Sequence, residues 1–273
     1  MSLLEVEHLR IWDGGSGAVL VPDSSFRLSQ GECLAIVGES GSGKSLTCKA
    51  LMRLNRPGIR QTGRVALNGV DLTGLSDKEM RPYRGKRMCM IMQNGMRAFD
   101  PSRPVGAYLL EALSLHGDWS RSEMVAGLSA AMMSVGLSDP SAVMGRYPHE
   151  LSGGMLQRTM IALAIVLEPD VIIADEPTTA LDAVTQYEVV EQFVALRGRI
   201  GSAIVFVSHD LGVVRRIADE VLVMKDGVIV EQGGTDAIFG GASHPYTRYL
   251  VSSKEALRSR YLQLMGGTRI AEG

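Results

Sequence analysis

The chain has 273 residues, 45% of them hydrophobic and 21% charged, and a formal charge of -2. That length can bury a sizeable core, and the composition is that of an ordinary globular protein. The balance of charge excludes the basic field used to bind nucleic acid, and no stretch approaches the ~20 apolar residues of a bilayer span.

Taken in chain order, the first ten residues carry Glu5 and Glu7 and lack the apolar core of a signal peptide, so the chain is expected to stay in the cytoplasm. Residues 33–37 are an apolar run that predicts a strand. It leads into a glycine-rich loop, and residues 46–54 then show a helical pattern. Residues 65–67 and 88–92 are further strand candidates. From about 104 to 166 the pattern is helical, rich in Ala and Met, which predicts a helical insertion between two halves of an α/β core. Residues 171–174, 204–208 and 221–224 are short apolar runs of the kind that fill a buried sheet. Lys225-Asp226-Gly227 before 228–230 predicts a hairpin, because Asp-Gly suits the tight turn. The polar tail from about 241 to 273 holds a predicted helix over 246–264. Strands alternating with helices predict an α/β fold with a largely parallel sheet.

Cys33, Cys48 and Cys89 are scattered through apolar stretches, which predicts buried thiols and no disulfide framework. His8, His116, His149, His209 and His244 are dispersed, and the 15 methionines read as core filler, so no direct binding of a transported metal is expected.

Gly38-Glu39-Ser40-Gly41-Ser42-Gly43-Lys44-Ser45 matches the phosphate-loop pattern G-x-x-x-x-G-K-[ST] in full. Its glycines let the backbone curl until several N–H groups face one anion, and the following helix adds its positive end. Lys44 is expected to reach the terminal phosphates of a nucleotide and Ser45 to offer its hydroxyl to Mg²⁺. The apolar run 171–174 ends in Asp175 and Glu176. Two carboxylates at a buried strand's tip fit a cation site: Asp175 would hold Mg²⁺, and Glu176 would accept a proton from the attacking water. The bland reading is an acidic helix start, which Pro177 and Thr178 would suit. His209 follows the run 204–208; such a histidine is either structural or a third strand tip at the same ligand edge.

Between these motifs, Leu151-Ser152-Gly153-Gly154-Met155-Leu156-Gln157-Arg158 resembles the signature sequence of ABC ATPases, which usually reads Leu-Ser-Gly-Gly-Gln. Gln93 resembles the Q-loop glutamine, Ala180-Leu181-Asp182 looks like the D-loop, and His209 takes the switch-histidine role. The resemblance implies a P-loop NTPase of ABC type over 1–240. Its sheet would be mostly parallel with an antiparallel β portion, with a helical subdomain at about 104–166 and a tail at 241–273. It further implies a head-to-tail dimer with a copy or a sister chain, in which Ser152, Gly153 and Gly154 of one subunit close over the ATP of the other. Asp182 belongs to the same nucleotide site, and Gln93 serves both catalysis and the Mg²⁺ site. Transmembrane permease subunits, and through them an extracytoplasmic substrate-binding protein, are the implied partners. The implied place is the cytoplasmic face of the inner membrane, and no nucleic acid is involved.

The loop with Leu46-Thr47-Cys48, Ile91-Met92-Gln93-Asn94, Ala174-Asp175-Glu176-Pro177-Thr178-Thr179 and the tail His244-Pro245-Tyr246-Thr247-Arg248 are similar to the dipeptide, oligopeptide and nickel importers. Met155, the Leu46-Thr47-Cys48 stretch and a tail without cysteine look most like a nickel import subunit. The alternatives are a di- or oligopeptide importer and an accessory ATPase docked on a soluble enzyme complex. Met155 replaces the usual glutamine, which puts a nucleotide contact by that side chain in doubt. Trp12 is either an adenine-stacking residue or an ordinary core or surface tryptophan.

Overall fold

The structure, a computed structural model, describes residues 2–93, 95–179 and 181–253. The chain opens with β1 (Ser2–Asp13), β2 (Val19–Val21) and β3 (Phe26–Ser29), followed by β4 (Cys33–Val37), α1 (Lys44–Leu51), β5 (Ile59–Leu67) and β6 (Val70–Asp71). β1, β2, β3, β5 and β6 make an antiparallel sheet centred on the β1–β5 pair. Sequence patterning does not single out β1, and the reason is physical. A register shift between Glu7 and Arg10, with His8 at φ 50, moves the buried set from Leu4 and Val6 to Leu9 and Ile11, which breaks the period-2 alternation.

After α2 (Asp77–Met80) and β7 (Met88–Ile91), the chain leaves the sheet for α3 (Val105–Ser114), α4 (Arg121–Ser134), α5 (Pro140–Gly145) and α6 (Gly153–Leu167). It returns as β8 (Val171–Asp175), which pairs in parallel with β7. α4 starts on a capping box, with Ser120 accepting from the Glu123 N–H and Glu123 accepting from the Ser120 N–H. The remaining elements are α7 (Ala183–Ile200), β9 (Ala203–Val207), α8 (Leu211–Ile217), β10 (Glu220–Lys225), β11 (Val228–Gly234) and α9 (Thr235–Gly241), followed by a helical segment at 245–253. The rest of the predicted tail helix lies outside the described residues. The hairpin forms where Asp-Gly predicts it, with Asp226 at φ 49 and Gly227 at φ 81 between paired Lys225 and Val228.

The second sheet runs β11-β10-β4-β9-β8-β7, and every pair from β10 to β7 is parallel. β4, β8 and β9 are buried along their whole length, because apolar layers cover both faces. Leu34 and Ile36 of β4 pack with Cys48, Ala50 and Leu51 of α1 and with the antiparallel sheet. Ala35 and Val37 face the other way, onto Leu211, Tyr246, Leu250 and Val251. Helices α3 to α7 pack on Ile172, Ala174, Ile204 and Phe206. The three cysteines are buried free thiols, and burial pushes the Cys89 thiol up to about 12. Among the described residues no helix is long and apolar enough to cross a membrane.

α1 starts two residues before the predicted helix and ends three before it. Gly43 at φ 99 serves as N-cap, so Lys44 and Ser45 already belong to the first turn, and Arg53 at φ 54 turns the chain away from the axis.

Candidate nucleotide site

Because β4, β9, β8 and β7 are parallel neighbours, their C-terminal ends open on one edge of the sheet. Crevices at such an edge are where open α/β sheets take ligands. β4 runs into Gly38, β8 ends at Asp175 with Glu176 next, β9 is followed by Ser208 and His209, and β7 by Met92 and Gln93.

The loop from Gly38 to Ser45 is held from outside. Gly38 has φ 152, and a Cβ there would run into the carbonyl oxygen of Met224 in β10. The Gly227 N–H donates to the Ser42 carbonyl at 3.1 Å, and Val21 and Met224 close on Gly43. Lys44 folds back over the loop, its Nζ donating to the carbonyls of Gly38 at 2.9 Å and Glu39 at 2.8 Å. Burial lowers the Lys44 pKa, while the charges of Glu176 and Asp175 act to raise it. Glu39, Ser40 and Gly41 are exposed, and Ser42 is buried.

Ser45 Oγ donates to Asp175 Oδ1 at 2.7 Å, tying the start of α1 to the tip of β8. Glu176 sits at φ 47, a left-handed backbone that is costly for a non-glycine residue, and its N–H donates to the Val207 carbonyl at 3.1 Å. Its Oε2 accepts from Gln93 Nε2 at 3.1 Å and Thr179 Oγ1 at 2.9 Å, and His209 Nδ1 lies 3.5 Å away. Four sequence-predicted residues, Gln93, Asp175, Glu176 and His209, thus come to one place with Lys44 and Ser45. Thr179 is the residue that motif reasoning missed; its only mark is a hydroxyl three positions after Glu176. An oxygen-rich, half-buried edge of this kind can order a cation and orient a water.

Ser152 and Gly153 are exposed at the start of α6, where Ser152 Oγ accepts the Met155 N–H at 3.2 Å as N-cap. Gly154 is buried because α6 meets α7 there: an added Cβ would lie 2.6 Å from Thr185 Cγ2. The partly buried Met155 packs against the core, which gives an apolar side chain a use at this position. Asp182 caps α7, its carboxylate accepting from the Val184 and Thr185 N–H groups and from Thr185 Oγ1. Trp12 lies in β1 opposite Val19 and Arg60, half-buried, two residues along β2 from the Val21 that touches Gly43.

Burial raises the Asp175 pKa above the usual carboxylate value, and the Ser45 hydrogen bond only partly opposes it. A raised folded-state pKa means the native state binds the proton more readily, so stability falls as pH rises from the ordinary carboxylate value through the raised one. At neutral pH the ionised side chain therefore opposes folding of the nucleotide-free protein. Asp175→Asn is expected to raise the melting temperature of that form. A lower melting temperature at neutral pH in differential scanning calorimetry would contradict this account.

The sequence model of the ABC transporter family matches residues 21–179. The metal-staphylopine import system ATP-binding protein CntD of Staphylococcus aureus (strain NCTC 8325 / PS 47) is 45% identical over 267 residues, covering 98% of each chain. The oligopeptide transport ATP-binding protein OppD of Bacillus subtilis (strain 168) is 42% identical over 261 residues, covering 94% of this chain and 73% of that one. Among solved structures, a dimeric ATP-binding cassette in a post-hydrolysis state bound to ADP and Pi shares the fold at a TM-score of 0.75 and 24% identity, covering 85% of this chain and 98% of that one. An ATP-binding subunit of an ABC transporter superposes at a TM-score of 0.73 with 26% identity, covering 92% and 100%. With a matching family model over more than half of its length and a relative 45% identical over 98% of both chains, the chain belongs to the ABC transporter family, as an ATP-binding, ATP-hydrolysing subunit of its importer branch.

Proposed function

We propose that this chain drives import of nickel or a nickel chelate, and that the edge formed by β4, β7, β8 and β9 is its ATP site. The observation that carries the site is the meeting of Lys44, Ser45, Asp175 and Glu176 there, with Ser45 bonded to Asp175 at 2.7 Å. In this reading the N–H groups of Gly41 to Ser45 and the Lys44 ammonium hold the phosphates, with Gly38, Glu39 and Ser40 shaping the loop. Glu176 takes a proton from the attacking water, Gln93 and Thr179 orient its carboxylate, and His209 faces it from the loop after β9.

Mg²⁺ fits the residues present. A hydroxyl and a buried carboxylate stand side by side, and Mg²⁺ is ordinarily bound through one or two carboxylates plus substrate phosphates. Ser45 and Asp175 would hold it, with Gln93 at its margin. When bound, it neutralises charge developing on the phosphate oxygens.

The N-terminus of α6, with Ser152 and Gly153 exposed and Gly154 buried behind them, is read as the half-site that a second subunit, copy or sister chain, closes over the nucleotide. Asp182 at the head of α7 belongs to the same interface. The helices between β7 and β8, read as a subdomain over about 104–166, would pass closure to the permease subunits at the cytoplasmic face of the membrane. A substrate-binding protein would meet those subunits on the other side. Residues 241–273 are read as the tail of this importer type.

Full-length similarity to a metal-staphylopine import subunit supports a metal-chelate cargo. Similarity to OppD supports the second reading, a peptide importer. The test is uptake of radioactive nickel and of di- and oligopeptides in cells whose only copy carries Lys44→Ala. Nickel uptake is expected to fall to background with peptide uptake intact. The reverse result would put the peptide reading in its place. If neither changes and the protein fractionates with a soluble complex, the accessory-ATPase reading takes over.

A further inference from the structure

The tail motif His244-Pro245-Tyr246-Thr247-Arg248 has no part in the chemistry described so far, yet it is built tightly into the fold. Glu231 of β11 accepts the Ser243 N–H at 2.6 Å and the His244 N–H at 3.1 Å. His244 Nδ1 accepts the Tyr246 N–H at 3.2 Å, and Arg248 Nη1 donates to the carbonyls of Ala242 at 3.1 Å and Ser243 at 2.6 Å. These bonds fix the start of the helical segment 245–253, whose Leu250 and Val251 pack on Ala35 and Val37 of β4. The segment thus lies directly behind the strand that feeds the phosphate loop.

Its tyrosine reaches the loop itself. Tyr246 is 8% exposed, its ring lies under the Lys225 ammonium at 5.0 Å, and its hydroxyl oxygen accepts the Glu39 N–H at 3.1 Å. That N–H and the Gly38 carbonyl belong to one planar peptide unit. The carbonyl on the opposite side of the same unit accepts from Lys44 Nζ at 2.9 Å. One peptide plane is therefore held by Tyr246 on one side and holds Lys44 on the other. If the tyrosine contact is lost, the plane loses its hold on the N–H side, and the Gly38 carbonyl, one of the two carbonyl acceptors that aim Lys44, is held less firmly.

We propose that Tyr246 is a positioning residue for nucleotide, fixing the Gly38–Glu39 peptide so that the tail sets the affinity of the phosphate loop. The inference rests on reading residues 38–45 as the nucleotide site. Tyr246→Phe keeps the ring and its contact with Lys225 and removes only the hydroxyl. In calorimetric titrations of the purified full-length chain with Mg-ADP, this variant is expected to bind about 2–10-fold more weakly, the loss of one hydrogen bond. Its KM for ATP should rise by a similar factor with kcat within about twofold, because the reacting groups are untouched. Val251→Ala, on the same helical segment, should lower the melting temperature by about 2–6 °C without changing Mg-ADP affinity. If Tyr246→Phe binds like the parent protein while Lys44→Ala has lost binding, this proposal is wrong and the nucleotide loop stands. Equal loss of affinity in Val251→Ala would reduce the tail to general packing and also overturn it. If Lys44→Ala itself binds Mg-ADP normally, the reading of the loop fails, and this inference with it.

Discussion

Glu176→Gln is expected to cut ATP turnover by ~10²–10⁴, the usual contribution of a general base. The substitution keeps what holds the side chain in place. Glu176 Oε2 accepts from Gln93 Nε2 and Thr179 Oγ1, and the amide oxygen of glutamine can accept both bonds. The left-handed backbone at residue 176 is unchanged, because the two side chains share their branching. What disappears is the capacity to take a proton from water. Nucleotide affinity should stay near that of the parent protein, since Lys44, Ser45 and Asp175 keep their contacts, and ATP should trap a closed dimer visible by size-exclusion chromatography. Near-normal turnover in single-turnover assays would remove Glu176 from the chemistry.

Ser152→Arg should act differently, leaving binding intact and sharply lowering hydrolysis. Ser152 is exposed, and its hydroxyl oxygen accepts the Met155 N–H within its own helix. Losing this N-cap should cost about 0.5–2 kcal/mol of stability, which a folded domain tolerates. Arginine also adds bulk and fills the space where a phosphate from another subunit would approach the helix N-terminus. Removing one such anion-stabilising group typically lowers turnover by about 10²–10³. Mg-ATP affinity of the isolated chain should change by no more than about twofold, because Lys44 and Ser45 lie on another element. Loss of binding by the isolated chain would mean that residues 152–154 serve their own subunit's nucleotide, and the head-to-tail arrangement would fall.

Some of this protein is written in short, contiguous stretches of its sequence. The phosphate loop is readable because eight adjacent residues must satisfy one local geometry, and the buried strands β4, β8 and β9 because a strand covered on both faces must be apolar throughout. The Asp226-Gly227 turn is legible for the same reason: both residues need positive φ. Other features have no local mark. β1 is hidden by a bulge that reverses its alternation, and the phase of each half depends on pairing with β5, whose partners run from Leu67 opposite Leu4 to Ile59 opposite Asp13. Gln93, Asp175–Glu176 and His209 are far apart in the chain, and the strand order β4-β9-β8-β7 is what brings them to one edge. The hold of Tyr246 on Glu39 spans 207 positions. A single hydrogen bond between distant segments imposes no periodicity and no composition on either, so it exists only once β4 and the tail helix have packed against each other.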